Sequence, residues 1–480
     1  MTGTVSLPIW LVILCGVLVV WALLDHLLIP SVRWFIRRRV NIVINEINEK
    51  LDLKLPAFTL TRRKVLIDRL TYDPQVLQAV AEYCKEDDVP KEVAMEKVAQ
   101  YAREIVPSFN AYVYFRIGSW LNKFLARMLY RVRVGFADEE GLESVNPNSS
   151  VVFIMNHRSN MDYMLLSYLA INRVALSFAM GEWARFWPVQ QLARALGAFC
   201  VRRGSKNPLY RRVLARYVQM ATEAGVVQAV YPEGMLSKDG RLCPPRIGLL
   251  DYMLRSFDIA QERDIVFIPV GVNYDRVLED RTLLLGLDPK AERKSTLGAL
   301  RTSLSFILHN LWLMMRRRWH RFGYAIVNFG TPVSMKEYVK KNKVDFQRLK
   351  KEERIEKVHL LACMLMEKVS QLIPVAPVPL IASVFAENPE KNFSDLEIKA
   401  RVQSLIDELE KKGAQVYIPR SDRDYTVEVG LRMLTLRNIV LESDQLYQAS
   451  PEEMDILRYY SNSIAHFFHP LSGLGETGKR

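Results

Sequence analysis

The sequence predicts an α/β fold. It has a central, mostly parallel sheet flanked by helices, with an N-terminal membrane-anchoring helix, a helical N-terminal region and a helical C-terminal region. Three observations predict it. Between residues 130 and 340, short β-rich runs alternate with stretches of helical period, the pattern of strands joined by helical crossovers into a buried sheet. The first 24 residues carry no charged side chain. On both sides of the alternating region the chain reads as helical, broken by prolines and, toward the C-terminus, heavily charged.

Composition narrows the class. A chain of 480 residues, 49% hydrophobic and 25% charged, is too long for one small core. It is also too balanced for wholesale disorder or a many-pass transporter. The formal charge of +13 favours anionic partners: phospholipid headgroups, phosphorylated substrates, coenzyme A or nucleic acid. Neither zinc-finger spacing nor an RNP motif is present, so nucleic acid is not expected among them. The five cysteines, Cys15, Cys84, Cys200, Cys243 and Cys363, form no C-x-x-C pair and have no histidine at metal-ligand spacing. They read as packed thiols in a reducing compartment, and no metal is expected.

Residues 1–30 form the predicted transmembrane anchor. Leu7 to Leu24 is almost wholly apolar, and with Leu27 to Ile29 it is long enough as a helix to cross a hydrocarbon layer of about 30 Å. Trp10 and Trp21 suit the two interfaces. A cleaved signal would carry a basic leader and a small-residue cleavage site, and neither is present. A buried core helix is the other reading of a single apolar segment. Arg33, Arg37, Arg38 and Arg39 follow at once, so the positive-inside rule assigns the rest of the chain to the cytoplasm. The expected location is a membrane, the inner (cytoplasmic) one if the source is bacterial.

Residues 31–130 read as an amphipathic helical region interrupted by Pro56, Pro74, Pro90 and Pro107. Residues 131–340 form the α/β domain. Its expected strands are 132–137, 150–155, 198–203, 226–231, 265–272 and 324–330, with helices over 161–171, 209–223 and 248–260 between them. Leu304 to Met315 is apolar and runs into Arg316, Arg317, Arg318, Trp319, His320 and Arg321. That suits an interfacial helix as well as a packed helix with a basic last turn. Residues 341–480 read as a helical C-terminal region, opening on solvated charge runs and continuing into the apolar LIPVAPVPLIASVFA.

Chemistry concentrates in IMNHRSNMDY, residues 154–163. A strand ends at Asn156, His157 occupies the turn, and Asp162 falls five residues on in the first turn of a helix. That spacing lets the carboxylate hold one imidazole nitrogen while the other faces a cleft as a general base. Ser159 to Asp162 also matches a helix-capping box, so on this motif alone the carboxylate reads more readily as a cap.

The stretch NHRSNMDYMLLSYL resembles the first motif of the glycerol-3-phosphate and dihydroxyacetone-phosphate acyltransferase family, His-x4-Asp. Three further stretches follow in the family's order. GAFCVRR (197–203) is similar to its G-x-x-F-I-R-R block, which implies that Arg202 or Arg203 binds an acceptor phosphate. VYPEGMLSKDGRL (230–242) is similar to its E-G-x-R-S block, matching at Glu233, Gly234, Ser237, Lys238, Gly240 and Arg241, with Leu236 where the family has arginine. IVFIPVGVNYDRV (265–277) is similar to its V-P block and implies that Pro269 shapes a pocket. The resemblance implies transfer of a fatty acyl group from an acyl-CoA or acyl carrier protein thioester, as co-substrate, to the sn-1 hydroxyl of glycerol 3-phosphate. It needs no other cofactor. His157 and Asp162 would be catalytic, and Arg202, Arg203, Glu233, Gly234, Ser237, Lys238, Arg241 and Pro269 would bind substrate. Leu236 keeps open another acceptor, such as lysophosphatidic acid, dihydroxyacetone phosphate or another lipid alcohol. A non-catalytic lipid-binding scaffold on the same fold is the alternative of another class. Membrane phospholipids are expected partners.

Overall fold

The computed structural model describes residues 56–170, 175–181, 189–202, 204–260, 262–287 and 321–469. The expected anchor at 1–30, the apolar segment at 304–315 and Arg203 lie outside the described residues. Among those described, no helix is long and apolar enough to cross a membrane.

Eight strands form one sheet: β1 (Arg131–Ala137), β2 (Ser150–Met155), β3 (Ser177–Met180), β4 (Ala198–Cys200), β5 (Gln228–Val230), β6 (Ile265–Tyr274), β7 (Tyr324–Phe329) and β8 (Val333–Ser334). Their order is β1-β7-β6-β2-β5-β3-β4, with β8 beside β6. The run β6-β2-β5-β3-β4 is parallel throughout. β7 and β8 meet β6 antiparallel, and β1 is parallel to β7. The sheet is thus mixed and mostly parallel, as the alternating pattern implied. The six expected strands are present, β4 and β5 at half the expected length, while β3 and β8 add to them.

Period-two alternation splits β2 between two cores. Val152 and Ile154 join the N-terminal helices Arg63–Thr71, Pro74–Glu86 and Lys91–Ile105, the helices Pro208–Glu223 and Gly248–Leu254, and the long helix Lys351–Leu372. Phe153 and Met155 point to the other face, where they meet the helices Ser119–Leu129 and Met161–Ala170 and most of the C-terminal region. Because side chains alternate across a strand, one hydrophobic run serves both layers. The N-terminal and C-terminal regions therefore share the cores of the sheet. LIPVAPVPLIASVFA becomes the buried helix Pro377–Glu387. A small antiparallel sheet of β9 (Phe393–Ser394), β10 (Val440–Ser443) and β11 (Leu446–Ala449) accompanies it.

The helix expected over 248–260 stops at Leu254. There the Arg255 guanidinium turns back to Asp251, which also receives Nε of Arg354 at 2.8 Å. Cys200 and Cys363 are buried, Cys84 and Cys243 are partly buried, and all four are free thiols.

Candidate active site

The parallel strands end together on one edge, where ligands of open α/β sheets bind. β2 delivers Asn156 and His157, β5 delivers Tyr231, and β6 delivers Tyr274. The Asn156 amide is buried and exchanges two hydrogen bonds of 2.8 Å with the backbone of Val272. This fixes the end of β2 against β6 and sets where the turn begins.

From that turn, His157 Nδ1 lies 2.9 Å from Asp162 Oδ2. The same oxygen accepts the backbone N–H groups of Arg158 (2.8 Å) and Ser159 (3.1 Å). The capping and catalytic readings of Asp162 are therefore compatible, since one carboxylate oxygen caps the helix and holds the imidazole. Its other oxygen accepts the Tyr274 hydroxyl at 2.5 Å. Burial pushes the Tyr274 phenol well above its ordinary pKa, with the Asp162 charge adding to the effect, so it remains a protonated donor.

The His157 ring is 13% exposed and stacks on Tyr231 with centroids 4.1 Å apart. Among the described residues nothing occupies its Nε2. Asp162 sets the tautomer and Tyr231 the ring plane, an arrangement chemically suited to proton exchange at the free nitrogen.

A second set of residues holds the turn itself. The Glu233 carboxylate is buried and accepts the backbone N–H of His157 at 2.7 Å and of Cys243 at 2.9 Å. Desolvation raises its pKa, opposed by the Arg158 charge and by these two bonds. Glu233 thus binds main chain, and Ser237 does the same: its N–H donates to His157 O at 3.0 Å and its hydroxyl to Arg241 O at 2.6 Å. Arg158 is fully buried, donating to Gly240 O and, at 3.2 Å, to Ser463 O. Glu279 takes Ser159 Oγ at 2.8 Å and the Asn160 amide at 3.0 Å.

The remaining expected residues divide. Gly234 has φ of +70°, and a Cβ there would meet Arg246 Cδ at 2.8 Å, so glycine relieves both backbone and space. Gly240 has φ of +86° and packs directly against the Tyr459 carbonyl. Lys238 is exposed, with its ammonium 3.1 Å from Gly286 O, and Arg241 is 68% exposed. Pro269 lies inside β6, paired with Ile154 on one side. On its other side β7 gives way to β8, and its carbonyl accepts Gly330 N–H at 2.9 Å. The missing proline N–H therefore falls where the neighbouring strand is interrupted.

Arg202 is engaged elsewhere. Its guanidinium makes bonds of 2.9 and 2.5 Å to Glu104 of the N-terminal region. It also lies 5.2 Å from the rings of both Tyr101 and Tyr210. The hydrogen bond to Glu104 raises its pKa and keeps it charged. Two hollows, of about 540 Å³ along the C-terminal helices and about 280 Å³ at the N-terminal ends of β3 and β4, are lined without His157 or Asp162.

Sequence reading missed Asn156, Arg158, Tyr231, Tyr274, Glu279 and Arg246 as parts of this assembly. Tyr231 and Tyr274 stand at strand ends inside two of the motifs, a position that marks them. Arg246 follows the third motif, and among the described residues no ion pair holds its guanidinium.

Comparison with known proteins bears on the same residues. Residues 137–273 match a family model described as Acyltransferase, and residues 310–473 match one described as Glycerol-3-phosphate acyltransferase C-terminal region. The glycerol-3-phosphate acyltransferase of Xanthomonas axonopodis pv. citri is 27% identical over 426 residues, covering 85% of this chain and 46% of that protein. The protein of the same name from Pseudomonas aeruginosa (strain LESB58) is 26% identical over 443 residues, covering 90% and 51%. The chain spans about half the length of the curated relatives it matches. A crystal structure of the 1-acyl-sn-glycerophosphate (LPA) acyltransferase PlsC from Thermotoga maritima aligns at 15% identity and a TM-score of 0.30, covering 64% of this chain and 94% of that one.

Proposed function

We propose that this chain, a relative of the glycerol-3-phosphate acyltransferases, moves a fatty acyl group from an acyl-CoA or acyl carrier protein thioester to the sn-1 hydroxyl of glycerol 3-phosphate, the first step of phospholipid synthesis. The names of its relatives and the match of both family models support the acyl transfer and the acceptor. One observation carries the mechanism: an imidazole whose Nδ1 is held by a buried carboxylate at 2.9 Å and whose Nε2 is free among the described residues.

In this reading His157 Nε2 takes the proton of the acceptor hydroxyl as the oxygen attacks the thioester carbonyl. Asp162 stabilises the imidazolium, and the Tyr274 hydroxyl behind it fixes the carboxylate in place. The tetrahedral intermediate collapses, the C–S bond breaks, and the imidazolium returns its proton to the thiolate. Atoms and electrons balance with thioester and alcohol alone. Glu233 and Ser237 keep the His157 backbone in register with the loop that follows β5. Lys238, Arg241 and Arg246 surround that loop with positive charge, and Arg203 belongs to the same proposal. Guanidinium and ammonium groups suit the acceptor phosphate.

The apolar run Leu7 to Leu24 and the arginines after it support attachment to a membrane, the inner (cytoplasmic) one if the source is bacterial, with the catalytic part on the cytoplasmic side. Leu236, in place of the family's arginine, favours a second reading in which the acceptor is a different one: lysophosphatidic acid, dihydroxyacetone phosphate or another lipid alcohol.

Product analysis from labelled acceptors, each offered with palmitoyl-CoA and palmitoyl acyl carrier protein, separates these readings. Glycerol 3-phosphate is expected to be acylated by the wild type. The His157→Ala protein is expected to lose about 10² to 10⁴-fold of that rate. Wild-type inactivity toward every acceptor would end the enzymatic reading in favour of a scaffold.

A further inference from the structure

The helical segment before β1 has two unlike faces. A π-type turn over Val113–Gly118 runs directly into the α-helix Ser119–Leu129. Tyr114, Gly118, Asn122, Ala126 and Leu129 are buried. They face the protein: Gly118 packs on Leu196, and Asn122 Nδ2 donates to Ser167 Oγ at 3.0 Å. Ser167 belongs to the helix Met161–Ala170, whose first turn carries Asp162.

The opposite face exposes Ile117 (45%), Trp120 (64%) and Phe124 (39%). The Trp120 and Phe124 rings stack, with centroids 5.6 Å apart and planes within 9°. Arg116, Lys123 and Arg127 are exposed beside them, and residues 113–129 contain no aspartate or glutamate. At helical spacing these six side chains fall within a sector of about 120°.

Packing among the described residues does not account for this face. A tryptophan left largely in water next to a stacked phenylalanine forms an apolar patch of the kind that marks an interaction surface. Aromatic rings of this sort settle at the headgroup level of a bilayer, and lysine and arginine stems reach past them to the phosphates. The uniform positive charge selects an anionic surface. A symmetric contact between two copies would oppose Arg116, Lys123 and Arg127 to themselves, which works against it.

We propose that the Ile117-Trp120-Phe124 face, with Arg116, Lys123 and Arg127, seats the catalytic part on an anionic phospholipid leaflet. This deepens the membrane association proposed above and does not depend on the acyl-transfer reading. An N-terminal anchor tethers the chain but leaves its orientation open. A second contact, one helix away from Asp162, fixes which way the active edge of the sheet faces the lipid.

The test uses full-length protein on phosphatidylcholine vesicles with and without phosphatidylglycerol, containing lipids brominated at shallow or deep acyl positions. Shallow bromines are expected to quench a component of tryptophan emission that the Trp120→Phe protein lacks. That component is expected to shrink on pure phosphatidylcholine and in the Lys123→Glu/Arg127→Glu protein. Equal quenching of wild type and Trp120→Phe overturns the proposal, and quenching indifferent to both lipid charge and protein charge overturns the choice of an anionic surface. Disulfide-linked dimers of a Phe124→Cys protein on vesicles would reassign the face to contact between copies and also overturn it. Turnover in detergent is expected to be the same in Trp120→Phe and wild type. An inactive wild type would sink the acyl-transfer reading while leaving the quenching result intact.

Discussion

Tyr274 and Asp162 are 112 positions apart in the chain, yet the phenol donates to the carboxylate at 2.5 Å. Both groups are buried. The hydroxyl takes up part of the negative charge that Asp162 otherwise shares between His157 and the backbone N–H groups of Arg158 and Ser159. Removing it in Tyr274→Phe leaves a buried carboxylate oxygen without a donor, which typically costs about 1–3 kcal/mol. The expected kinetic result is a fall in kcat/KM of about tenfold, or about 1.4 kcal/mol. An unchanged kcat/KM would restrict Tyr274 to packing.

Glu233 tests the difference between binding substrate and holding backbone. Its two bonds go to the N–H groups of His157 and Cys243. Glu233→Gln turns an amide NH2 toward one of those donors and displaces the turn. A misplacement near 1 Å is sufficient for about 10²-fold in rate, so kcat is expected to drop by about that factor with the acceptor KM little changed. A rise in KM at constant kcat would instead assign Glu233 to the acceptor.

Arg202 is expected to act as a brace. If its guanidinium remains with Glu104, the Glu104→Gln protein loses stability and keeps its acceptor KM, as measured by thermal unfolding and steady-state kinetics. If Arg202 leaves Glu104 to bind phosphate, the same substitution frees it and the acceptor KM falls. Arg241→Ala, at an exposed position, is expected to raise the acceptor KM without changing Tm.

His466 gives the fold an acid sensitivity. Its Nε2 donates to Ser370 O at 2.9 Å, and its buried Nδ1 has no hydrogen-bond partner among the described residues. Burial, helped by the Arg158 charge, lowers the imidazole pKa from 6.5 to about 3. Between those values the unfolded chain holds the extra proton, so the stability present above pH 6.5 is lost as pH falls toward 3. At pH 5 the loss is about 2 kcal/mol. Asp275, raised by burial to about 7, has the opposite slope, since its folded form keeps a proton that the unfolded chain releases as pH rises from 3.8 to 7. The informative comparison is therefore wild type against His466→Gln in denaturant melts at pH 7.5 and pH 5. The variant is expected to gain on the wild type as pH falls, and a constant difference would mean that His466 titrates normally.

Local sequence made His157 and Asp162 legible, because a strand end, a turn and a first helical turn lie within ten residues. The strands β1, β2, β6 and β7 were legible for the same reason, each being a β-rich run of six residues or more. β3 and β8, four and two residues long, are too short to show a period and exist because β5, β4 and β6 offer them partners. Side chains that support the dyad arrive from far along the chain. Glu233 reaches His157 across 76 positions and Glu279 reaches Ser159 across 120, and no spacing rule records such meetings. Arg202 shows the converse: its motif marked it as a phosphate ligand, while its partner, Glu104, stands 98 positions upstream.

Arg158 donates to Ser463, 305 positions further on, and Gly240 leans on the backbone of Tyr459. Synthesis proceeds from the N-terminus, so the turn bearing His157 emerges long before the helix Met454–Asn462 that completes its support. A nascent chain would hold His157 on an unfinished mount, with Arg158 still seeking the Ser463 carbonyl. The edge of the sheet that carries His157 is thus expected to be among the last parts to become rigid.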